Sequence, residues 1–351
     1  RDLHSFPTRR SSDLSVCLGV LVALGTFAGV LALNGTCKEE YVKADTKYSN
    51  WMQYLSDDTL LSNTIIPGSH DSGTINMKWV SETQTDTIKQ QLESGVRYFD
   101  LRVNKKKDNQ YVMYHSSSNG VDFLPILSDI KSFIVAHPSE TLLLDFQHFK
   151  NGSAGDVKNF VYSSLYKSNL LVENKTTLSD LAYISSLTLK EVRGKCVVFF
   201  GDDSDLVSET YIFARNNDEC TKSGMSLNSC YVSSYNKSSS SEYIEKGLPF
   251  YYDNIKNKIS IEKYKGIFVL QGQLTDGQLI FGPWSKENKH QGNMHDYIVS
   301  LKNSSNLSLT NVIMRDFINT DKTNDIIGLN TYKGQVKTTN LDEFQKFFTV
   351  E

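Results

Sequence analysis

The chain has 351 residues, of which 39% are hydrophobic and 22% are charged, so it is long enough to bury one large core in one or two domains. Its formal net charge of -3 gives no global basic field of the kind that neutralises nucleic-acid phosphates. This charge balance argues against nucleic acid as a partner.

The amino-terminal segment contains two unusual runs. Residues 1-14 include FPTRRSSDL, which reads like a translated sequencing adapter and is left out of the fold prediction. The uncharged run SVCLGVLVALGTFAGVLAL follows from Ser15 to Leu33 and lacks the polar face of an ordinary core helix. Residues 15-36 are therefore predicted to be a signal peptide or a signal anchor, and the protein to be secreted or extracellular, with anchoring through residues 15-33 as the alternative.

Two further features suit a secretory protein. Acceptor triplets for N-glycosylation occur at Asn34, Asn151, Asn174, Asn236, Asn303 and Asn306. Cys220 and Cys230 flank the polar loop TKSGMSLNS, which a disulfide could close, and this bridge is predicted. Cys196 lies in the apolar run KCVVFFG and is predicted to be a buried core thiol.

Short apolar runs alternate with helical patterns from residue 40 to the end. The seven strand-like runs are NTIIPGSHDSG, VRYFDLRV, YVMYHSS, TLLLDFQHF, KCVVFFGDD, GIFVLQGQL and NVIMRDFIN. The stretches DTIKQQLES, LPILSDIKSFIVAH and DVKNFVYSSLYKS between them are predicted helices. Such a right-handed β-α series predicts a TIM-type barrel or an open doubly wound sheet.

An ionisable or amide side chain comes late in nearly every strand-like run. These residues are His70, Asp100, Arg102, His115, Asp145, Gln147, Asp202, Gln271 and Asp316. Each one alone is best explained as a polar residue that ends a strand. Together they favour an α/β fold, a TIM-type (β/α)8 barrel in a single domain, because such a barrel gathers the carboxyl ends of its strands around one pocket.

Two histidines stand out in this set. Pro67 and Gly68 predict a turn that presents His70 in IIPGSHDSGT, and YVMYHSS brings His115 to the end of the next strand. Asp100 and Arg102 share one face of the strand between them. Two imidazoles facing one substrate predict acid and base catalysis, while metal ligation and buried core histidines are the competing explanations.

The order IPGSHDSGT, QQLESGVRYFDLRV and YHSS resembles the catalytic X region of phosphatidylinositol-specific phospholipase C. The resemblance extends through WMQYLSDDTLLSNT, TLLLDFQHF, RGKCVVFF, FVLQGQLT and NVIMRDFIN, and so covers roughly residues 48-320. It implies a distorted TIM barrel that forms the whole of residues 40-351. It also implies an enzyme that cleaves phosphatidylinositol to diacylglycerol and a cyclic inositol phosphate.

The resemblance also implies roles for individual residues. A neutral His70 is expected to act as the general base, oriented by Asp316, and His115 as the general acid. Asp71 is expected to support the acid and the phosphate-binding Arg102. These five residues form the expected catalytic set.

The family has a calcium-dependent branch and a branch in which an arginine replaces the cation. Arg102 stands where the calcium branch has a carboxylate, and Gln147 stands where it has a glutamate, so the metal-independent, bacterial-like branch is expected, with no cofactor. Asp100, Gln147 and Gln271 are expected to bind substrate. The alternatives are a phosphodiesterase acting on another lipid or on glycosylphosphatidylinositol anchors, and a catalytically silent head-group binder.

The expected partner is a phosphatidylinositol-containing membrane surface, contacted transiently by a monomer. Trp79 in NMKWVSE and Trp284 in FGPWSK lie in loop-like contexts and are the candidate membrane-docking pair.

Overall fold

In the computed structural model, the structure describes residues 46-201, 209-215, 230-234, 244, 248, 252-253, 266-274 and 282-350. Within these residues eight strands form one parallel sheet, and three others form a small antiparallel sheet. The parallel strands are β1 (Ile66–Ser69), β2 (Tyr98–Leu101), β6 (Thr141–Phe146), β7 (Lys195–Phe200), β8 (Phe213–Ala214), β9 (Tyr231–Ser234), β10 (Ile267–Gln271) and β11 (Val312–Arg315). The antiparallel strands are β3 (Val103–Lys105), β4 (Tyr111–His115) and β5 (Ser118–Asp122).

Helices separate most of the parallel strands. They are α1 (Thr46–Ser49), α2 (Ile88–Glu93), α3 (Phe123–Ala136), α4 (Ala154–Ser164), α5 (Asp180–Ser186), α6 (Leu189–Val192), α7 (Gly282–Ser300), α8 (Thr320–Tyr332) and α9 (Leu341–Phe347). Helix α2 begins at a capping box, in which the Thr87 side chain accepts from the Gln90 amide and the Gln90 side chain accepts from the Thr87 amide.

The parallel sheet has the order β8-β7-β6-β2-β1-β11-β10-β9 and curls into a nearly closed barrel. The Tyr98 hydroxyl on β2 lies 2.8 Å from the Tyr231 hydroxyl on β9, although these strands are four places apart in the sheet. The two edge strands also approach each other, because the Cys230 thiol beside β9 donates to the Ala214 carbonyl of β8 at 3.5 Å. The TIM-type barrel in a single domain is thus confirmed.

Burial on both faces explains why the barrel strands are unbroken apolar runs. In β6, Leu142 and Leu144 face the helices α2 to α4, whereas Leu143 packs in the barrel interior with Val197 and Phe199 of β7. All of these side chains are fully buried. When a parallel strand is covered on both faces, the side chains on both faces are buried. Its sequence is therefore a continuous run of hydrophobic residues, without alternating polar ones.

The strand assignment differs from the sequence prediction in two ways. The run YVMYHSS is not a barrel strand, because β4 pairs antiparallel with β3 and β5 in a hairpin. The barrel strands β8 and β9 were not predicted, since β8 has two residues and β9 ends in two serines. Neither segment carries the long apolar run by which the other six barrel strands were recognised.

The predicted Cys220–Cys230 bridge involves Cys220, which lies outside the described residues. Cys230 is buried, and its thiol donates to the Ala214 carbonyl oxygen at 3.5 Å. Cys196 is a buried free thiol in β7, as predicted, and burial raises its pKa.

Several predictions fall on residues that the structure does not describe. These are residues 1-14, the leader at 15-36, Asn34, Asp202 and Asn236. Among the described residues, none of the helices has the length and hydrophobicity to cross a bilayer. The Asn151 side-chain amide donates to the Asn104 side-chain oxygen at 2.7 Å, which gives this acceptor triplet a local structural contact.

Candidate active site

His70 and Asp316 meet at the carboxyl ends of two neighbouring parallel strands. β1 and β11 pair with Ser69 opposite Arg315, so the next residue of each strand emerges at the same edge of the barrel. His70 Nδ1 lies 2.7 Å from Asp316 Oδ1, and the His70 amide donates to the Arg315 carbonyl at 3.1 Å. The contact between Nδ1 and Asp316 directs the other ring nitrogen of His70, Nε2, away from Asp316 and toward the pocket.

Asp71 links both histidines and Arg102 through one carboxylate. Its Oδ1 lies 2.6 Å from Arg102 Nε, and its Oδ2 lies 3.3 Å from His70 Nε2 and 3.6 Å from His115 Nε2. Asp71 is fully enclosed and adopts φ 44°, a conformation that costs energy for a residue other than glycine. The strained backbone places this carboxylate at the centre of the cluster.

Arg102 pairs with a second carboxylate, Asp100, at a distance of 2.9 Å between Nη2 and Oδ2. Burial opposes ionisation of Asp100, but the charges of Arg102 and His70 outweigh it and hold the pKa of Asp100 below its ordinary value. Among the described residues, His70, Asp71 and Asp100 form a group whose ligand atoms lie within 4.8 Å, close enough to hold a metal ion. The guanidinium of Arg102 contacts both carboxylates of this group, those of Asp71 and Asp100.

His115 reaches the pocket from the antiparallel hairpin rather than from a barrel strand. It ends β4, and its Nδ1 lies 2.9 Å from the Ser81 carbonyl oxygen. Because a carbonyl oxygen only accepts, Nδ1 carries the hydrogen in this bond. Its Nε2 then faces Asp71 and the pocket, and a quarter of the side chain is exposed to solvent.

The charge state of His70 differs from the neutral imidazole expected from sequence. Burial lowers the pKa of His70, but the carboxylates of Asp71 and Asp316 outweigh both burial and the repulsion from Arg102, and raise this pKa to about 9. Burial also raises the pKa of Asp316, against the opposing effect of His70. At pH 7 the ligand-free protein therefore holds His70 mostly as imidazolium.

The three predicted substrate-binding residues lie in different places. Asp100 belongs to the central cluster, and the buried Gln147 donates to Asp100 Oδ1 from the end of β6. Gln271 lies at the end of β10, where its side-chain nitrogen is 3.4 Å from Ser233 Oγ on β9. The structure therefore brings two of the three to the histidines and places the third on the β9-β10 side of the rim.

Sequence reasoning missed a second arginine that pairs with an aspartate of a barrel strand. Arg215 follows β8, and its Nε donates to Asp145 Oδ2 at 3.0 Å. Tyr98 and Tyr231 donate to the same Asp145 oxygen at 2.6 Å and 3.1 Å. Asp145 is the register partner of Asp100, so two arginine-aspartate pairs lie side by side in the barrel. The two-residue β8 gave no pattern that could have identified Arg215.

Comparison with known proteins agrees with this geometry. Residues 58–200 match the family model described as phosphatidylinositol-specific phospholipase C, X domain. A 1-phosphatidylinositol phosphodiesterase of Staphylococcus aureus (strain Newman) is 28% identical over 231 residues, which are 61% of this chain and 70% of that protein. The human PI-PLC X domain-containing protein 2 is 35% identical over 134 residues, and the match spans 29% of this chain and less than half (44%) of the relative.

The solved structure of phosphatidylinositol-specific phospholipase C from Listeria monocytogenes has the same fold. It superposes with a TM-score of 0.57 at 21% identity and covers 81% of this chain and 98% of that chain. The motifs around the two histidines fall inside the matched X domain. Through residues 58–200, the chain is similar to the X domain of the phosphatidylinositol-specific phospholipase C family.

Proposed function

We propose that this protein is a metal-independent phospholipase C that cleaves phosphatidylinositol to diacylglycerol and a cyclic inositol phosphate. The observation that carries the proposal is the single Asp71 carboxylate, which lies within 3.6 Å of Arg102, His70 and His115. A phosphodiester needs its anionic charge neutralised and two protons moved, and these three side chains supply those functions.

In the proposed reaction His70 Nε2 takes the proton of the inositol 2-hydroxyl. The 2-oxygen then forms a bond to the adjacent phosphorus, and the bond from phosphorus to the diacylglycerol oxygen breaks. His115 Nε2 gives its proton to this leaving oxygen. Arg102 neutralises the phosphate oxygens, and Asp316 stabilises the imidazolium that forms at His70.

The other buried polar groups suit a polyhydroxyl head group. Near Arg102, the proposed phosphate ligand, lie the carboxylate of Asp100, the amide of Gln147 and the guanidinium of Arg215. We propose that they bind the inositol hydroxyls, with Gln271 contacting substrate from the β9-β10 side. The family-level match supports phosphatidylinositol as the first substrate to test, with glycosylated anchors as the second.

The deciding experiment is incubation of the purified protein with phosphatidylinositol in excess chelator, followed by phosphorus NMR of the water-soluble product. A cyclic phosphate signal is expected, because the nucleophile belongs to the substrate. Tight head-group binding without any turnover would favour the silent binder. Turnover of another phosphodiester lipid alone would favour the related phosphodiesterase.

The elevated pKa of His70 gives a prediction for the pH profile. The base must be neutral to accept a proton, so over the pH range in which the acid His115 stays protonated, kcat/KM on a soluble substrate analogue is expected to rise about tenfold per pH unit toward the His70 pKa of about 9. In Asp316→Asn the loss of a carboxylate lowers this pKa, so the rise moves to lower pH while the maximal rate falls about 10²-fold. A kcat/KM that falls over this range would contradict the assignment of His70 as the base.

The two candidate docking tryptophans are exposed, and Trp79 lies beside the first residue of the helix that carries Trp284. The side chains of Trp79 and Trp284 are 52% and 49% exposed. The Trp79 ring lies 2.7 Å from the position that a Cβ on Gly282 would take, two residues before Trp284. We propose that this pair enters the membrane interface and places the rim of the barrel against its lipid substrate, outside the cell as the leader suggests.

Trp79→Ala and Trp284→Ala are each expected to weaken binding to phosphatidylinositol vesicles about tenfold, because an indole loses its apolar burial in lipid. Turnover of a monomeric short-chain analogue should stay unchanged. Tyr332→Ala is the matched control, since Tyr332 is 50% exposed at the end of α8, away from the strand ends that carry the site. Vesicle co-sedimentation measures both effects, and equal loss in all three variants would remove the docking role.

A further inference from the structure

A buried acidic residue on α7 holds two cations beside the candidate active site. The Glu287 carboxylate oxygen Oε1 lies 2.6 Å from Arg315 Nη2 and 2.9 Å from Lys322 Nζ. Burial raises the pKa of Glu287, but the two cations outweigh burial and hold this pKa below its ordinary value. Glu287 therefore stays ionised as the shared partner of Arg315 and Lys322.

Lys322 connects this cluster to the backbone that carries Asp316. Its Nζ donates to the carbonyl oxygens of Asp316 at 3.0 Å and Phe317 at 2.7 Å. Phe317 adopts φ 44°, a costly conformation for a bulky side chain. The two bonds from Lys322 hold the turn that leads out of β11 in this conformation.

Arg315 fixes the same segment from the other side. Its carbonyl oxygen accepts from the His70 amide at 3.1 Å and from Gln84 Nε2 at 3.0 Å. Its side chain crosses Gly272, where an added Cβ would approach the Arg315 Cδ to 2.8 Å. Only glycine leaves room for the arginine to reach Glu287 along this path.

We propose that Glu287 is a positioning residue, which holds Arg315 and Lys322 so that the Asp316 carboxylate stays aligned with His70 Nδ1. This inference rests on the proposed function, in which His70 is the base. Glu287 acts through Arg315 and Lys322, which its carboxylate contacts directly. A small displacement of the turn at residues 315-317 lengthens the 2.7 Å bond between Asp316 and His70, and misalignment of a catalytic group on this scale is costly.

The test compares Glu287→Gln with Asp296→Asn. Asp296 is an exposed acid on the same helix, so its variant loses the same charge without touching the cluster. Glu287→Gln is expected to lower kcat on a soluble substrate analogue about tenfold or more with KM within about twofold of the unmodified protein. The imidazole pKa of His70, measured by NMR titration, should fall in Glu287→Gln and stay unchanged in Asp296→Asn.

In Glu287→Gln the buried cations of Arg315 and Lys322 lose the carboxylate that they share, and this loss lowers the free energy of unfolding. Lys322→Met and the double variant Glu287→Gln/Lys322→Met are therefore measured beside it, and thermal unfolding reports whether each one folds. If both residues act through one turn, the double variant should be no slower than the slower single variant.

Folded variants with unchanged kcat and an unchanged His70 titration would overturn the positioning role. Failure of the unmodified protein to cleave phosphatidylinositol would instead refute the proposed function. In that case the NMR titration of His70 still tests the alignment of Asp316, because it needs no turnover.

Discussion

Replacing either His70 or His115 by alanine is expected to abolish phosphatidylinositol cleavage, with a loss of about 10⁴-fold or more in kcat/KM. In the proposed reaction each imidazole handles one of the two protons, and the Nε2 atoms of His70 and His115 lie 3.3 Å and 3.6 Å from the same Asp71 oxygen, Oδ2. Without His70 the 2-hydroxyl keeps its proton, and without His115 the alkoxide of diacylglycerol leaves unprotonated. The measurement is turnover of radiolabelled phosphatidylinositol in mixed vesicles.

Both variants should keep their fold, since the two histidine side chains are partly exposed to solvent. The side chain of His70 is 13% exposed and that of His115 is 25% exposed. His137→Ala is the matched control, because His137 caps the carboxyl end of α3, before β6 begins and away from the pocket. Loss of cooperative thermal unfolding in His70→Ala or His115→Ala would favour the core-histidine explanation.

Catalysis by the unmodified protein is expected to be equal in excess chelator and in millimolar calcium. The guanidinium of Arg102 lies 2.6 Å from Asp71 and 2.9 Å from Asp100, so a fixed positive charge is held between the carboxylates that could otherwise bind a cation. A protein that needs calcium for turnover would show that these carboxylates bind metal and that the role of Arg102 is wrong.

Variants of Arg102 separate its charge from its geometry. Arg102→Lys keeps the charge but loses the two-pronged contact with phosphate, and is expected to cost about 10²-fold in kcat/KM. Arg102→Asp should cost more, because it leaves Asp71 and Asp100 without their shared cation. The freed group of His70, Asp71 and Asp100, with ligand atoms within 4.8 Å, should then give partial calcium dependence. Calorimetric titration with calcium, with the unmodified protein as the control, measures this gain of binding.

Much of the barrel was predictable because of how parallel strands are covered. β1, β2, β6, β7, β10 and β11 are buried on both faces, and such strands appear in the sequence as short apolar runs that end in polar residues. The motif order around His70, Arg102 and His115 then led to the family, which the matched X domain at residues 58–200 supports independently.

The sequence by itself therefore determined the barrel class and the residues that meet at its rim, since both depend on local apolar runs and on the side chains that end them. Tertiary structure decided that His115 arrives on a hairpin, that Arg215 pairs with Asp145, and that Glu287 supports the turn beside Asp316. It also decided the pKa of His70, which two carboxylates raise to about 9. These features depend on distances between side chains far apart in the chain, and electrostatic interactions at such contacts change with each ångström of separation. A local pattern of residue types carries no information on those distances.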